Sequence, residues 1–298
     1  MKSYKDNKII ESHSPVLFKE VLEYLNIKKN GIYVDGTVGL GGHSNQILEY
    51  LSNKGRLIGV DRDFRALEIC KNNLNKKNQN FSLHNDSYDN INSILNSQNI
   101  KTVDGILLDL GLSSYQLNDS ERGFSFNSNG ELDMRFDTSQ STKAKDILNH
   151  YETDQLADII YKYGEERRSR VIAKNIIKVR PLDKISDLVE AIRVSTPPKN
   201  RKKSIARVFQ AIRITVNDEL KKLDEFLSFF YKNLNIGGII AIISFHSLED
   251  RIVKHQFKKL EKESVLKIIT KKPITPSEKE LNLNRRARSS KLRVAERV

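Results

Sequence analysis

At 298 residues the chain is long enough for one large core or two domains. Its 51 lysines and arginines against 38 acids leave a formal charge of +13, an excess that recruits phosphate backbones. No apolar run approaches the roughly 20 residues that a membrane helix needs, and the single cysteine, Cys70, excludes an internal disulfide. Met1 to Glu11 also lacks the apolar core of a secretion signal, so the chain is expected in the cytoplasm. The six histidines show no ligand spacing, and no metal is expected.

Pro15 to Leu25 places Val16, Leu17, Val21, Leu22 and Leu25 at helical spacing. Ile32–Val34 predicts a first strand that ends in Asp35. Gly36, Gly39, Gly41 and Gly42 then turn the chain into a helix from Ser44 that buries Ile47, Leu48 and Leu51. A second strand, Leu57–Val60, ends in Asp61 and leads to a helix through Ala66, Leu67, Ile69, Cys70 and Leu74. Phe81–His84 is a third strand, leading to Tyr88. The nearly continuous apolar run Val103–Leu108, ending in Asp109, is what a parallel strand covered on both faces requires. Strands alternating with helices predict an α/β fold with a doubly wound, mostly parallel sheet.

From Tyr115 to about Arg213 no strand pattern occurs. A polar loop, Asn118 to Gln140, precedes helical patterns. One is capped by Thr153, runs through Leu156, Ile159, Ile160 and Tyr163, and stops at Gly164; a second runs Arg168 to Val179 and halts at Pro181. A third runs Ile185 to Val194 and halts at Pro197-Pro198, and Ile205 to Leu234 is a long helical stretch with a break near Asn217. Gly237-Gly238 then turns into a buried parallel strand, Ile239–Ile243. A gap this long exceeds any usual crossover, so residues 113–213 are expected to form an inserted helical domain, with 1–112 and 214–298 forming the sheet domain. Val265–Thr270 and Leu292–Val298 alternate more and are expected as edge strands.

Ligands of open α/β sheets bind beyond the carboxyl ends of the strands. Four strand ends converge there: the Asp35–His43 loop, Asp61, Tyr88 and Asp109, with Ser244-Phe245-His246-Ser247 after a fifth strand. A glycine loop followed about 20 residues later by an acid suits a nucleoside whose ribose hydroxyls the acid holds. The order Asp35-x-Thr37-x-Gly39-x-Gly41 departs from the G-x-G-x-x-G of dinucleotide sites. It is closer to the loop that class I methyltransferases wrap around S-adenosylmethionine. Taken singly, Asp109 also reads as a turn cap, Tyr88 as packing and His246 as a structural hydrogen bonder. The competing classes are a non-catalytic RNA-binding assembly protein and an NAD(P)-dependent oxidoreductase.

Methylation of a nucleobase ring carbon generally needs a cysteine nucleophile, and Cys70 sits beside Ile69 on an apolar helical face, where packing accounts for it. A nitrogen acceptor needs no covalent catalysis. Three basic runs are candidate phosphate contacts: Arg167-Arg168-Ser169-Arg170 with Lys174, Lys199-Asn200-Arg201-Lys202-Lys203, and Arg285-Arg286-Ala287-Arg288 with Lys291 and Arg293. Phe124 and Phe126 read either as stacking partners for an extruded base or as core anchors.

Longer blocks carry a specific resemblance: His13-Ser14-Pro15-Val16-Leu17, Asp35-Gly36-Thr37 through Gly41-Gly42-His43-Ser44, and Asp104 through Leu117. Arg122-Gly123-Phe124-Ser125-Phe126, Leu132-Asp133-Met134-Arg135, Tyr163-Gly164-Glu165-Glu166-Arg167, Phe209 through Ile214, Ile243 through Arg251 and Arg286-Ala287-Arg288-Ser289-Ser290 follow in order. The chain resembles the bacterial small-subunit ribosomal RNA cytosine-N4 methyltransferases, the MraW family. The resemblance implies a class I methyltransferase fold with a helical insertion for substrate recognition. It implies S-adenosylmethionine as cofactor, and a cytosine in the decoding region of small-subunit RNA, free or in the assembled subunit, as substrate. It implies cofactor contacts at Gly41, Gly42, His43, Asp61, Tyr88, Asp109 and Gln116. Asp109, or a carbonyl in the Leu110–Ser113 turn, is then expected to accept the amine proton, the alternative being that Asp109 only holds the cofactor; a homodimer is left open. Ser204-Ile205-Ala206 and Asn284-Arg285-Arg286-Ala287-Arg288 depart from the family pattern. With the same fold and cofactor, another nucleic-acid or protein nitrogen is the nearest alternative substrate.

Overall fold

The computed structural model describes residues 15–74 and 80–298, so His13-Ser14 at the head of the first matching block lies outside the described residues. The chain divides into two compact units: residues up to Gly111 with Lys221–Val298, and Leu112–Leu220.

In the first unit the apolar runs become β1 (Ile32–Asp35), β2 (Arg56–Asp61), β3 (Phe81–Asn85), β4 (Val103–Asp109), β5 (Leu234–Ser244), β6 (Leu266–Ile268) and β7 (Lys291–Arg297). They form one sheet in the order β3-β2-β1-β4-β5-β7-β6. β1 to β5 are mutually parallel, and β7 is antiparallel to both β5 and β6. Strand order reverses between β1 and β4, which opens the crevice that such sheets use for ligands. Both faces are covered. On one, Val34, Ile58, Ile106, Leu108 and Ile242 pack against Phe226, Phe230 and Phe257. On the other, Tyr33, Leu57, Leu107, Ala241 and Ile243 meet Leu17, Val21, Ile47, Leu48 and Cys70. Each fully buried Leu, Ile or Phe contributes about 1.5–3 kcal/mol by leaving water, so residues from before and after the helical segment share these cores.

Two strand expectations change. Gly237-Gly238 does not precede β5 but lies inside it, where the register to β4 jumps from Val103–Leu234 to Gly105–Ile239. The extra residues form a bulge. Gly237 takes φ 76, and a Cβ on Gly238 would stand 2.8 Å from the Asn235 carbonyl oxygen, so the bulge needs both glycines. Leu292–Val298 is not an edge: β7 runs between β5 and β6, with Leu292, Val294 and Ala295 fully buried.

The second unit contains the helices Ala144–His150, Thr153–Gly164, Ser169–Lys178, Ile185–Ser195 and Arg201–Asn217. Their apolar stripes close on a core that includes Ile147, Leu156, Ile160, Ile172, Ile192, Val208 and Ile212. Glu152, not Thr153, is the N-cap of the helix Thr153–Gly164, its amide donating to Gln155 Oε1 at 2.9 Å. Gly164 is the last residue of that helix, which ends where Glu165 takes φ 50; glycine is needed at 164 for close packing, since a Cβ there would stand 2.6 Å from the Arg207 carbonyl oxygen. The break near Asn217 falls at Asp218, with φ 52. Phe124 is tilted against Phe136 at 5.6 Å and Phe126 meets Phe209 edge-on at 5.8 Å, so of the two readings of these rings the core anchor is the observed one. No described helix is long and apolar enough to cross a membrane.

Candidate active site

The glycine loop is a hydrogen-bonded bridge between neighbouring strand ends. Gly36 N donates to Leu107 O at 2.9 Å, continuing the β1–β4 pairing, and Asp109 N donates to Thr37 Oγ1 at 2.6 Å. On the other side Val38 N donates to Val60 O, and Gly39 N to Asp61 Oδ2 at 2.8 Å. Asp35, 2% exposed, accepts from Ser44 Oγ at 2.7 Å and Thr37 N at 3.3 Å, which ties the loop to the start of the helix Gly42–Tyr50. Burial pushes the Asp35 carboxyl above its ordinary range, against the lowering effects of the Ser44 bond, His43 and the Thr37 amide. Asp35 and Thr37 are therefore taken up in shaping the loop.

Gly41 takes φ 89, and a Cβ there would stand 3.0 Å from Cys70 Sγ and 3.3 Å from Leu74 Cδ2. The turn thus needs glycine twice over, for its left-handed backbone and for room. Asp61, at the end of β2, also accepts from Asp63 N at 2.9 Å. Burial raises its pKa to about 6, partly countered by the Asp63 and Gly39 amides. Each carboxylate oxygen keeps a second lone pair, which is what ribose hydroxyls require. Asp86 N donates to Asp61 O, bringing the end of β3 alongside, and Tyr88 follows with its ring edge-on to Phe226 at 5.6 Å.

At the centre His43 is 6% exposed, and its Nε2 is 3.6 Å from Asp109 Oδ2. His43 Nδ1 and Nε2, Asp109 Oδ1 and Ser87 Oγ are buried without hydrogen-bond partners among the described residues. Buried polar atoms are rarely left unmatched unless a ligand completes them. A polar nucleoside ligand carrying an amino-acid end fits this donor and acceptor set. Ser87 escaped sequence reading because a lone serine before Tyr88 has no spacing signature.

Other expected residues have structural partners. His246 is the N-cap of the helix Ser247–Lys262, its Nδ1 accepting from Glu249 N at 3.4 Å. Gln116 lies in the helical unit, 5% exposed, in a capping box with Ser113 at 3.1 Å in both directions. Cys70 is fully buried, and burial with Asp35 and Asp61 nearby pushes its thiol upward, away from a nucleophilic thiolate. Of the third basic run, Arg293 Nε and Lys291 Nζ are held by Asp250 at 2.6 and 3.1 Å, so neither is free for phosphate.

The model of the MraW methylase family matches residues 11–298. The chain belongs to that family. Three relatives, each named Ribosomal RNA small subunit methyltransferase H, are similar over almost their full lengths. The protein of Kosmotoga olearia is 49% identical over 294 residues, covering 97% of this chain and 98% of its own. Those of Thermosipho africanus and Clostridium botulinum are 48% and 45% identical, covering 100% and 96% of this chain and 100% and 99% of their own. Membership in the MraW methylases agrees with the class I methyltransferase fold and with the crevice at the β1–β4 switch point.

Proposed function

We propose that this chain methylates the exocyclic N4 amine of a cytosine in the decoding region of small-subunit ribosomal RNA, with S-adenosylmethionine as methyl donor, in the cytoplasm where that RNA is assembled. The observation that carries the reading is the His43–Asp109 pair, polar and incomplete, at the switch point of a MraW methylase.

The cofactor, when bound, supplies a methyl group on a sulfonium. Asp61 would hold the ribose hydroxyls, Tyr88 the adenine, and the backbone at Gly41 and Gly42 with His43 the amino-acid end. Gln116, the remaining expected cofactor contact, is buried in its capping box with Ser113. Asp109 Oδ1, the oxygen without a hydrogen-bond partner among the described residues, accepts the proton that leaves the cytosine amine. The amine is a weak nucleophile because its lone pair is drawn into the ring, so an acceptor for its N–H localises that pair where it is needed. Alignment within the crevice supplies much of the remaining rate. Residues 113–213 serve as the substrate-recognition domain.

Nucleoside mass spectrometry of small subunits and of naked small-subunit RNA, incubated with the protein and labelled cofactor, tests this. N4-methylcytidine is the expected product. Label on another nucleoside or on protein overturns the substrate, and absence of cofactor binding by calorimetry overturns the enzyme.

A further inference from the structure

Two basic runs that are far apart in the sequence meet in the helical unit. Arg168 Nε donates to Ser195 O at 2.9 Å, and Arg201 Nε donates to Thr196 O at 3.3 Å. One guanidinium from each run therefore rests on consecutive carbonyls at the end of the helix Ile185–Ser195. The terminal carbonyls of a helix carry partial negative charge, so this is where cations belong. Glu166, 4% exposed, fastens the other side. It accepts from Arg168 N at 2.9 Å and Ser204 Oγ at 2.8 Å, and Arg207 Nη1 stands 3.5 Å away. The starts of the helices Ser169–Lys178 and Arg201–Asn217 are thereby drawn into one corner.

What remains on the outside is cationic. Residues 165–174 and 190–207 together hold ten lysines and arginines against three acids, and one of those acids is the buried Glu166. Arg167, Arg170, Lys174, Lys199, Lys202 and Lys203 are exposed, and their side chains have no ion pair or hydrogen-bond partner among the described residues. Arg168 and Arg201, by contrast, are committed to the framework. The division is between cations that build the corner and cations that it displays.

We propose that this corner is a single composite basic surface that grips the sugar–phosphate backbone of the substrate RNA through Arg170, Lys199, Lys202 and Lys203, without reading base identity. The proposal rests on the RNA-substrate reading above. Exposed lysines act as mobile point charges toward phosphate, and each neutralised phosphate releases bound counterions, so affinity falls steeply with salt.

The test is binding of the full chain to a small-subunit RNA fragment across a salt series, for the parent and for a triple variant, Arg170→Ala with Lys202→Ala and Lys203→Ala. The variant is expected to lose about 2–3 units of the slope of log affinity against log salt, and roughly tenfold to hundredfold in affinity near physiological salt. Its melting temperature and S-adenosylmethionine affinity serve as controls for folding. An unchanged slope overturns the proposal, as does weaker binding at constant slope, which would mean lost packing. Weaker binding to assembled subunits but not to naked RNA also overturns it, pointing to a protein partner instead. If the parent binds RNA with the expected slope yet produces no N4-methylcytidine, the functional reading fails and the surface stands. If the parent makes N4-methylcytidine and the variant binds unchanged, only the surface fails.

Discussion

His43 Nε2 stands 3.6 Å from Asp109 Oδ2, one side chain from the start of a helix and the other from the end of β4, and Asp109 Oδ1 has no hydrogen-bond partner among the described residues. Asp109→Asn keeps the shape and removes the proposed proton acceptor. Loss of a positioned general base slows a step by roughly 10²–10⁴-fold. Single-turnover methyl transfer is expected to fall in that range, with S-adenosylmethionine affinity changing less than about tenfold. Proportionate losses in both would reduce Asp109 to a cofactor contact.

Asp61 gives the apo protein a pH dependence. Its pKa is raised from 3.8 to about 6, chiefly by burial. A raised carboxyl pKa means that the folded state binds the proton more tightly. The stability from this group is complete below the ordinary value and lost as pH rises through about 6. Relative to Asp61→Asn, the parent is expected to lose about 2–3 kcal/mol between pH 4 and pH 8, measured by urea unfolding. Cofactor affinity is expected to weaken as pH falls through 6 in the parent only, since the proposed contact with ribose hydroxyls favours the ionised acid.

Gly41 and Cys70 test the loop together. Gly41→Ala places a methyl group 3.0 Å from Cys70 Sγ at φ 89 and is expected to destabilise by about 1–3 kcal/mol, read as a lower melting temperature. Cys70→Ala removes the sulfur neighbour and every thiol in the chain. Methyl transfer by Cys70→Ala is expected within about twofold of the parent. A loss of several orders of magnitude would bring back a cysteine nucleophile.

Asn217 ties the loop at Met134 and Phe136 to the helix Arg201–Asn217. Its Nδ2 donates to Met134 O at 2.7 Å and Arg213 O at 2.9 Å, and its Oδ1 accepts from Phe136 N at 2.7 Å. Asn217→Ala leaves the Phe136 amide and the Met134 carbonyl without this partner. The expected cost is about 2–4 kcal/mol, measured by thermal unfolding.

Much of the sheet was legible because β1, β2, β4 and the core of β5 are apolar runs that end in polar residues, and a parallel strand buried on both faces leaves that trace. The strand edges and partners were less so. β7 was expected at an edge because Lys291, Arg293 and Glu296 alternate with apolar residues, yet Asp250, on the helix Ser247–Lys262, neutralises the inward side of Arg293. A single sequence does not show which acid will meet which base. The helix Ser247–Lys262 itself went unread because its cap is His246, a residue known more for chemistry than for capping. Within the site, the Asp35–Ser44 loop and Asp61 were visible from glycine spacing and strand ends. That Asp35 and Thr37 would be spent on the loop, leaving His43 and Asp109 incomplete, depends on hydrogen-bond geometry that spacing does not encode.

The fully buried core of the helical unit comes from residues between Phe124 and Val216, with Leu112 and Leu117 packed against it, whereas the sheet unit draws on both flanking stretches of chain. A calorimeter is therefore expected to record two separate melting steps. A mutation that loosens the helices would then leave the glycine loop and Asp61 of the sheet unit standing, so these two folding units can drift independently over evolutionary time.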